Sequence, residues 1–359
     1  MSRNLLPLSL TATLLAGTAM ADTPGVAADI APVHSLVARV MAGVGEPNLI
    51  VAPGASPHEY SLRPSEAQAL QDAALVFWVG PSLTPWLGDS IETLAGGAEI
   101  VTLSDLDATT TLPTRESALF EAHSHDHGDH EESHDHDHEE AHDHDHDHEE
   151  AHDHDHEDHA EGEGEGHDHE EHAEGHDHDH DHGHDHGGTD PHMWLSPENA
   201  SAWLTVIADS LSAADPENAE AYAANAAAGR EELAALSQEI EGILEPVQGE
   251  NFIVFHDAYQ YFENSFGFPA SGAISLSDAT DPSPARIAEI QGRMQEQQVT
   301  CVLSEPQFSP GVVAAVMEGS EAQTGVLDPL GSDLEPGTDL YPQLLRNLAG
   351  SLADCLQAG

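Results

Sequence analysis

The sequence predicts two α/β lobes linked by one long helix, with a disordered insert rich in His, Asp and Glu in the first lobe. Short apolar runs alternate with amphipathic stretches, and this β–α–β order is typical of a parallel sheet with helices on its faces. One helical pattern near the middle spans about thirty residues, or roughly 45 Å at 1.5 Å per residue, which is long enough to connect two lobes. Residues 123–188 hold 24 of the 28 histidines, so this segment is interpreted separately from the globular part.

The N-terminus has the pattern of a secretory signal peptide over residues 1–21. Arg3 supplies the charge, residues 5–16 form a short apolar stretch, and Ala19-Met20-Ala21 is an A-x-A cleavage site. The stretch is too short to span a bilayer, and no cysteine lies near the cleavage site for acylation. We therefore expect a soluble, exported protein whose mature chain begins at Asp22.

Four patterns define the predicted elements of the N-terminal lobe, residues 22–214. An apolar run at 49–52 ends at a Pro-Gly turn, and residues 65–68 match the S-x-x-Q capping box that starts a helix. Apolar runs at 75–79 and 100–103 are typical of buried strands. The order of strand, helix and strand favours a parallel sheet.

Two helices follow the insert, and the second is the predicted link between the lobes, residues 215–247. Ser196-Pro197-Glu198 and Asp215-Pro216-Glu217 each combine an N-cap residue, a proline at the first helical position and an acid in the first turn. Pro246 ends the second helix. Its apolar or small positions alternate steps of four and three, as in a helix that buries one stripe: Tyr222, Ala226, Gly229, Leu233, Leu236, Ile240 and Ile243.

A second strand–helix series predicts the C-terminal lobe, residues 248–359. Strand patterns occur at residues 252–255 and 299–303. Ser283-Pro284 and Ser309-Pro310 each place a proline directly after a capping residue, which is typical of a helix start.

The charge of the chain excludes one class of function. There are 67 Asp and Glu residues against 8 arginines and no lysine, for a formal net charge of −59. A nucleic-acid-binding protein neutralises phosphates with cationic side chains, and this chain has almost none. The same balance argues against adsorption to an anionic membrane surface.

The two cysteines, Cys301 and Cys355, are expected to form a disulfide because export leads to an oxidising compartment. The bond would close a loop of about 54 residues and contribute roughly 4 kcal/mol in the chain-entropy model. Two buried free thiols are the alternative. A metal role is less compatible with the separation, which is unlike Cys-x-x-Cys.

The insert at residues 123–188 contains 24 histidines and 28 acidic residues but no Arg, Leu, Ile, Val or Phe. Such a composition cannot bury an apolar core, so we expect the segment to be disordered without metal. Imidazoles and carboxylates can form many weak metal sites. A solvated acidic linker would explain the acids but not the histidines, so the composition favours metal binding.

Only four histidines lie outside the insert: His34, His58, His192 and His256. His58 follows a predicted strand, His192 precedes a helix start, and His256 ends a predicted strand. Ligands of open α/β sheets bind beyond the carboxyl ends of the strands, and imidazole is the commonest metal ligand. These three residues could therefore form three legs of a tetrahedral zinc site, although they form no compact motif. His34 begins a predicted helix and is expected at the surface or at the helix cap.

Five motifs occur in one order over nearly the whole mature chain. They are Gly54-Ala55-Ser56-Pro57-His58-Glu59-Tyr60 with Leu62-Arg63-Pro64-Ser65, Asp190-Pro191-His192-Met193-Trp194-Leu195-Ser196-Pro197, Phe255-His256-Asp257-Ala258-Tyr259-Gln260-Tyr261-Phe262, Ser304-Glu305-Pro306-Gln307-Phe308, and Leu327-Asp328-Pro329-Leu330-Gly331. In these motifs the chain resembles the zinc-binding periplasmic proteins of bacterial metal ABC importers, the ZnuA type. The insert, just before the second motif, is similar to the acidic, His-rich loop of the zinc members.

The resemblance implies a metal site between two α/β lobes, with His58, His192 and His256 as ligands. The fourth ligand is implied to be water or Asp328, whose position carries a carboxylate ligand in manganese and iron relatives. Some zinc members have a glutamate immediately before the first ligand histidine, but here that position is Pro57. Three imidazoles suit Zn²⁺, whereas Mn²⁺ prefers more oxygen ligands.

The resemblance also implies a function without catalysis. We expect a monomeric periplasmic protein that captures Zn²⁺ and delivers it to an inner-membrane ABC permease with its cytoplasmic ATPase. The His-rich insert would hold additional zinc weakly, and would either raise the local zinc concentration or pass ions inward. Imidazoles bind metal only when neutral, so acid should release the zinc.

Two other functions are compatible with a three-histidine site. A periplasmic zinc buffer would bind the metal without a transporter. A secreted zinc hydrolase would use three histidines and an open coordination position, but the chain lacks H-E-x-x-H or a comparably compact motif.

Overall fold

The protein is described by a computed structural model that covers residues 23–115, 117, 119–120, 188–276 and 282–358. The predicted signal peptide lies outside these residues, and so does the His-rich insert apart from Gly188. Among the helices of the covered ranges, none combines the length and apolar character that crossing a membrane requires.

The first lobe is built on a four-stranded parallel sheet, in the order β2-β1-β3-β4. Its strands are β1 (Val26–Ala28), β2 (Asn48–Leu49), β3 (Leu75–Trp78) and β4 (Glu99–Thr102). Its helices are α1 (Ala31–Met41), α2 (Pro64–Gln71), α3 (Leu87–Leu94) and α4 (Pro197–Ala214). Every residue of β1 and β3 is buried, as expected for parallel strands with both faces covered.

The start of α2 differs from the prediction. The sequence pattern predicts a capping box at residues 65–68, but the helix begins with Pro64 and its capping carboxylate is that of Glu66. The Arg63 backbone N–H donates to Glu66 at 2.7 Å, which satisfies an amide that the helix leaves free. Proline is favoured at the first helical position because it has no N–H to satisfy. The predicted cap at Ser196 is confirmed, since its hydroxyl accepts from the Asn199 backbone N–H at 3.2 Å.

The long helix is present as α5 (Ala219–Leu244), with a short 3-10 turn at each end, Pro216–Asn218 and Glu245–Val247. The predicted apolar stripe is buried from Tyr222 to Ile240, but at the C-terminal end Leu244 is buried in place of Ile243. α5 contacts α1 and α4 and also the C-terminal helix α9 (Leu340–Ala358). It therefore packs against helices of both halves of the chain, whereas the boundaries at 214 and 247 stay a prediction.

The second lobe repeats the plan of the first, with parallel strands in the order β6-β5-β7-β8. The strands are β5 (Phe252–His256), β6 (Gly272–Ser275), β7 (Cys301–Ser304) and β8 (Gln323–Val326). The helices besides α9 are α6 (Gln260–Phe266), α7 (Pro284–Glu296) and α8 (Pro310–Val316). The hydroxyls of Ser283 and Ser309 cap α7 and α8, as the Ser-Pro pattern predicts.

The disulfide between Cys301 and Cys355 is confirmed, with the two Cα atoms 5.8 Å apart. It joins the first residue of β7 to α9. The helix α9 also packs on α1 and α5, and the largest cluster of buried apolar side chains runs through both lobes. That cluster includes Val26, Leu103, Trp203, Tyr222, Phe252 and Leu352.

Candidate metal centre

His58 lies in the loop between β2 and α2, and two contacts hold this loop. The Trp86 indole N–H donates to the Pro57 carbonyl at 2.8 Å, and the His58 backbone N–H donates to the Ser56 hydroxyl at 3.2 Å. Pro57 is buried, His58 is half-buried and Glu59 is exposed. Of the two side chains in the His58-Glu59 pair, the imidazole is therefore the one turned toward the protein interior.

His192 lies immediately before the 3-10 turn Met193–Leu195 that leads into α4. One carboxylate oxygen of Asp190, Oδ1, lies 2.8 Å from the His192 Nδ1 and accepts from the His192 backbone N–H at 2.9 Å. Both side chains are buried. A carboxylate on Nδ1 favours the tautomer with a proton there, which leaves Nε2 as the free lone pair.

His256 is the last residue of β5, and its partner is Glu305, directly after the neighbouring strand β7. The Glu305 Oε1 lies 2.6 Å from the His256 Nδ1. Parallel neighbours end at the same edge of a sheet, which is why two residues 49 positions apart in sequence meet here. Glu305 is 4% exposed, and its other oxygen, Oε2, accepts no hydrogen bond within the part of the chain that the structure describes. Burial raises the pKa of the nearby Tyr259 well above its usual value, and the Glu305 carboxylate adds to that increase.

The three histidines meet between the two sheets. The Nε2 atoms of His192 and His256 are 3.4 Å apart, and the ring centroids of His58 and His192 are 5.8 Å apart. All three line a cavity of about 240 Å³ together with Trp194 and Phe308. They also line a second cavity of about 400 Å³, which Asp190, Arg115 and Asp257 border.

The spacing of two of these nitrogens fits a tetrahedral metal ion. Two nitrogens bound at about 2.0–2.1 Å to a tetrahedral zinc lie roughly 3.3–3.4 Å from each other, which is the separation of the His192 and His256 Nε2 atoms. Within the described ranges, no three His, Cys, Asp or Glu side chains stand close enough together to hold a metal without adjustment. The His58 ring, whose centroid is 5.8 Å from that of His192, would have to move toward the other two rings to complete a three-nitrogen site.

Asp328 follows β8, and its carboxylate is engaged by its own loop. The backbone N–H groups of Leu330 and Gly331 each donate to Oδ1 at 3.0 Å. Ser332 donates its backbone N–H to Oδ2 and its hydroxyl to Oδ1. Asp328 borders a different cavity, beside α9. The carboxylate therefore stabilises this loop, and binding a metal would require some of these hydrogen bonds to break.

His34 is buried in α1, so the expectation of a surface or capping position was wrong. Its Nε2 lies 3.0 Å from the Pro47 carbonyl, and burial lowers its pKa. The reason is tertiary: α1 lies under α4, α5 and α9 as well as against β1, so most of its residues are buried. His34 takes no part in the histidine cluster.

Sequence reasoning missed Asp190 and Glu305 as partners of the histidines. Asp190 stands two positions before His192, where a short-range carboxylate–imidazole contact could have been proposed. Glu305 carried a weaker signal, namely an acid directly after a predicted strand. Its contact with His256 depends on β5 and β7 being neighbours, and local sequence patterns do not predict the order of strands in a sheet.

The chain matches one protein family and is similar to proteins of known name. The family described as "Zinc-uptake complex component A periplasmic", ZnuA, matches residues 26–355. A high-affinity zinc uptake system protein ZnuA from Brucella abortus is 48% identical over 358 residues, covering 99% of each chain. The protein of the same name from Paracoccus denitrificans is 46% identical over 357 residues, covering 98% of this chain and 99% of its own.

Solved structures share the fold. A crystal structure of ZnuA has a TM-score of 0.65 at 20% identity and covers 93% of this chain and 100% of its own. The substrate-binding protein FpvC from Pseudomonas aeruginosa, in complex with Mn²⁺, has a TM-score of 0.67 at 16% identity and covers 94% and 99%. These likenesses confirm two α/β lobes with parallel sheets. With the match of the family over nearly the whole chain, they lead to one conclusion: the chain belongs to the ZnuA family of periplasmic zinc-uptake components.

Proposed function

We propose that this protein captures Zn²⁺ in the periplasm and delivers it to an inner-membrane ABC permease with its cytoplasmic ATPase. The observation that carries the proposal is the pair of Nε2 atoms from His192 and His256, 3.4 Å apart between the lobes. His58 supplies the third nitrogen after its ring moves toward the other two. Three imidazoles favour Zn²⁺ over Mn²⁺, and the family is not an enzyme class.

Water is the proposed fourth ligand. The Asp328 carboxylate already accepts four hydrogen bonds within its own loop. Moving it onto the metal would leave backbone N–H groups without partners, at a cost of about 1–3 kcal/mol for each that stays buried. A water molecule requires no such rearrangement.

The segments outside the described residues complete the proposal. Residues 1–21 are the export signal, and the His-rich insert binds additional Zn²⁺ weakly through its 24 histidines. Either of two roles for the insert, concentrating zinc or passing it to the interlobe site, is compatible with its composition. A zinc buffer without a transporter is separated from an importer by growth on limiting zinc, with the permease present or absent.

A zinc titration tests the interlobe site. The insert histidines would mask the loss of one ligand, so residues 121–187 are replaced by a flexible Gly/Ser linker; Gly188 is kept because it accepts from the Thr114 backbone N–H. In this linker variant, His58→Ala, His192→Ala and His256→Ala should each weaken zinc binding by more than the roughly 10–100-fold typical of losing an outer-shell partner. Affinity is measured by competition with a chromophoric chelator.

Two further substitutions calibrate the titration. His34→Ala is the control, because that imidazole is buried away from the cluster, and its zinc affinity should match the linker variant. Asp328→Ala should lower affinity only slightly if water is the fourth ligand. Full zinc affinity in a folded His256→Ala variant would contradict the interlobe site.

A further inference from the structure

The chain segments on either side of the insert lie together as an antiparallel pair. We call residues 112–115 and 188–190 the flanking pair. Pro113 and Thr189 form an antiparallel bridge, and the Thr114 backbone N–H donates to the Gly188 carbonyl at 2.8 Å. The Asp190 backbone N–H donates to the Leu112 carbonyl, also at 2.8 Å. The pair ends two residues before His192.

The second lobe holds the flanking pair through α6. The Tyr261 hydroxyl accepts from the Leu112 backbone N–H at 2.9 Å and donates to the Asp190 carbonyl at 2.9 Å. With its amide turned so that the nitrogen faces acceptors, Gln260 donates to the Asp190 Oδ2 at 2.9 Å and to the Pro113 carbonyl at 3.1 Å. One helix of the second lobe thus binds both segments.

Arg115 adds two ion pairs to the same contact. Its guanidinium lies 2.8 Å from the Asp257 Oδ1 and 2.6 Å from the Glu263 Oε2. The side chains are 18%, 6% and 3% exposed for Arg115, Asp257 and Glu263, so these charges have little water around them. The guanidinium also lies 3.9 Å over the Phe120 ring. Removing one member of such a buried pair leaves an uncompensated charge and is strongly destabilising.

Asp190 connects this contact to the histidine cluster. Its Oδ1 lies 2.8 Å from the His192 Nδ1, and its Oδ2 accepts from Gln260 of the other lobe. The orientation of the His192 ring therefore depends on how the flanking pair sits on α6. Thr114, Arg115, Gly188 and Thr189 also line the cavity of about 400 Å³ that the three histidines share, so the flanking pair forms one wall beside the cluster.

We propose that Arg115, Gln260 and Tyr261 are positioning residues of the metal site. They bind the flanking pair to α6 and thereby fix the orientation of His192, which slows the dissociation of bound zinc. The proposal rests on the proposed zinc-binding function and adds a kinetic role to it. Loosening the contact between the flanking pair and α6 frees Asp190 to move with the flanking pair. The His192 ring then loses its fixed orientation, and zinc dissociates faster.

The test measures the rate of zinc dissociation from the full-length chain. The protein is loaded with half an equivalent of Zn²⁺, so that the tight site takes the metal before the insert does. It is then mixed with an excess of a fluorescent chelator in a stopped-flow instrument. Arg115→Gln, Gln260→Ala and Tyr261→Phe should each raise the dissociation rate by roughly tenfold or more, as for the loss of other partners of metal ligands.

Arg286→Gln is the matched control. Arg286 has the same 18% side-chain exposure as Arg115 and also pairs with a glutamate, Glu289. It lies on α7, outside the flanking pair, so its variant should keep the wild-type dissociation rate. The Co²⁺-substituted protein gives a second readout, because a reoriented His192 shifts the visible absorption bands in the three test variants and not in the control.

The double variant Arg115→Gln, Glu263→Gln distinguishes a positioning role at the metal site from a purely structural role in stability. Neutralising Glu263 removes one of the two buried carboxylates that lose their ion pair with Arg115, so part of the lost thermal stability should return. The contact between the flanking pair and α6 is still missing, so zinc should still dissociate quickly. If Arg115→Gln does not fold, Tyr261→Phe decides, since it removes two hydrogen bonds and keeps the ring. If folded Tyr261→Phe and the double variant both release zinc at the wild-type rate, the positioning role is wrong, while the proposed zinc-binding function stands. A wild-type protein without tight zinc would overturn the proposed function.

Discussion

At the residue scale, two carboxylates determine which atoms of the histidine cluster are available. Asp190 and Glu305 each place an oxygen on the Nδ1 of His192 or His256. The two Nε2 atoms are thereby turned toward each other. A metal-binding imidazole commonly donates its other ring N–H in this way, which fixes the tautomer and raises the basicity of the ligand.

One prediction at the residue scale concerns the effect of His34 on the pH dependence of stability. Burial lowers its pKa below the value of about 6.5 that it has when unfolded. In acid the unfolded chain therefore takes up a proton that the folded chain does not, and stability is lost as the pH falls through the folded-state pKa. His34→Gln can still donate to the Pro47 carbonyl but does not titrate, so its stability should fall less between pH 8 and pH 5. Both proteins are unfolded with urea, without zinc.

The prediction is tested by comparing how steeply the unfolding free energy falls with pH in the wild type and in His34→Gln. The other histidines titrate equally in both proteins, so they cancel in the difference. An identical loss of unfolding free energy in wild type and His34→Gln would show that the buried imidazole does not contribute to acid sensitivity.

At the scale of elements, the C-terminal helix is fastened covalently to the second sheet. The Cys301–Cys355 disulfide joins the first residue of β7 to the last turns of α9, across 54 residues of sequence. Because α9 also contacts α1 and α5, the bond supports the packing between the two lobes as well as the second lobe itself.

Removal of the disulfide should lower the stability of the fold and leave zinc affinity unchanged. The Cys301→Ala, Cys355→Ala double variant is expected to lose roughly 4 kcal/mol of unfolding free energy, because the unfolded chain is no longer constrained. Neither residue belongs to the histidine cluster, so zinc affinity should be unchanged. Urea unfolding and the chelator competition measure the two quantities. Loss of zinc from a folded double variant would mean that the thiols or their surroundings hold the metal.

At the scale of the whole molecule, one large cluster of buried apolar side chains spans both lobes and runs from β1 through α5 to α9. Such a cluster favours small adjustments around the histidines over a wide separation of the lobes, because separation would expose buried apolar area at about 25 cal/mol per Å². A movement of the His58 ring is compatible with that constraint.

The insert should be dispensable for folding. Replacing residues 121–187 with a Gly/Ser linker removes 29 acidic side chains and no basic one, so the formal net charge changes from −59 to −30. Self-repulsion destabilises a compact chain far from neutrality. The linker variant should therefore melt at an equal or higher temperature than wild type at low ionic strength, with the difference shrinking as salt screens the charges. A markedly lower melting temperature at every salt concentration would show that the insert stabilises the fold.

Much of the candidate site could be predicted from local patterns. His58, His192 and His256 stand at a loop, a helix start and a strand end, and these positions are visible in sequence. The contact of Glu305 with His256 could not be predicted, since it depends on β5 and β7 being neighbours. The burial of His34 was missed for a similar reason, because it results from the helices that cover α1.

The sequence by itself determined the order of the elements, most helix starts and the pairing of the two cysteines. Its resemblance to a known family implied that His58, His192 and His256 lie together between the lobes. The elements and helix starts follow from hydrophobic periodicity and capping residues. The cysteine pair follows from there being only two cysteines in the chain. The tertiary structure alone decided the 3.4 Å separation of the two Nε2 atoms, the carboxylate on each imidazole, and the ion pairs that join Arg115 to residues 142 and 148 positions away. Such contacts depend on the packing of distant segments, and the chain reveals them only once it is folded.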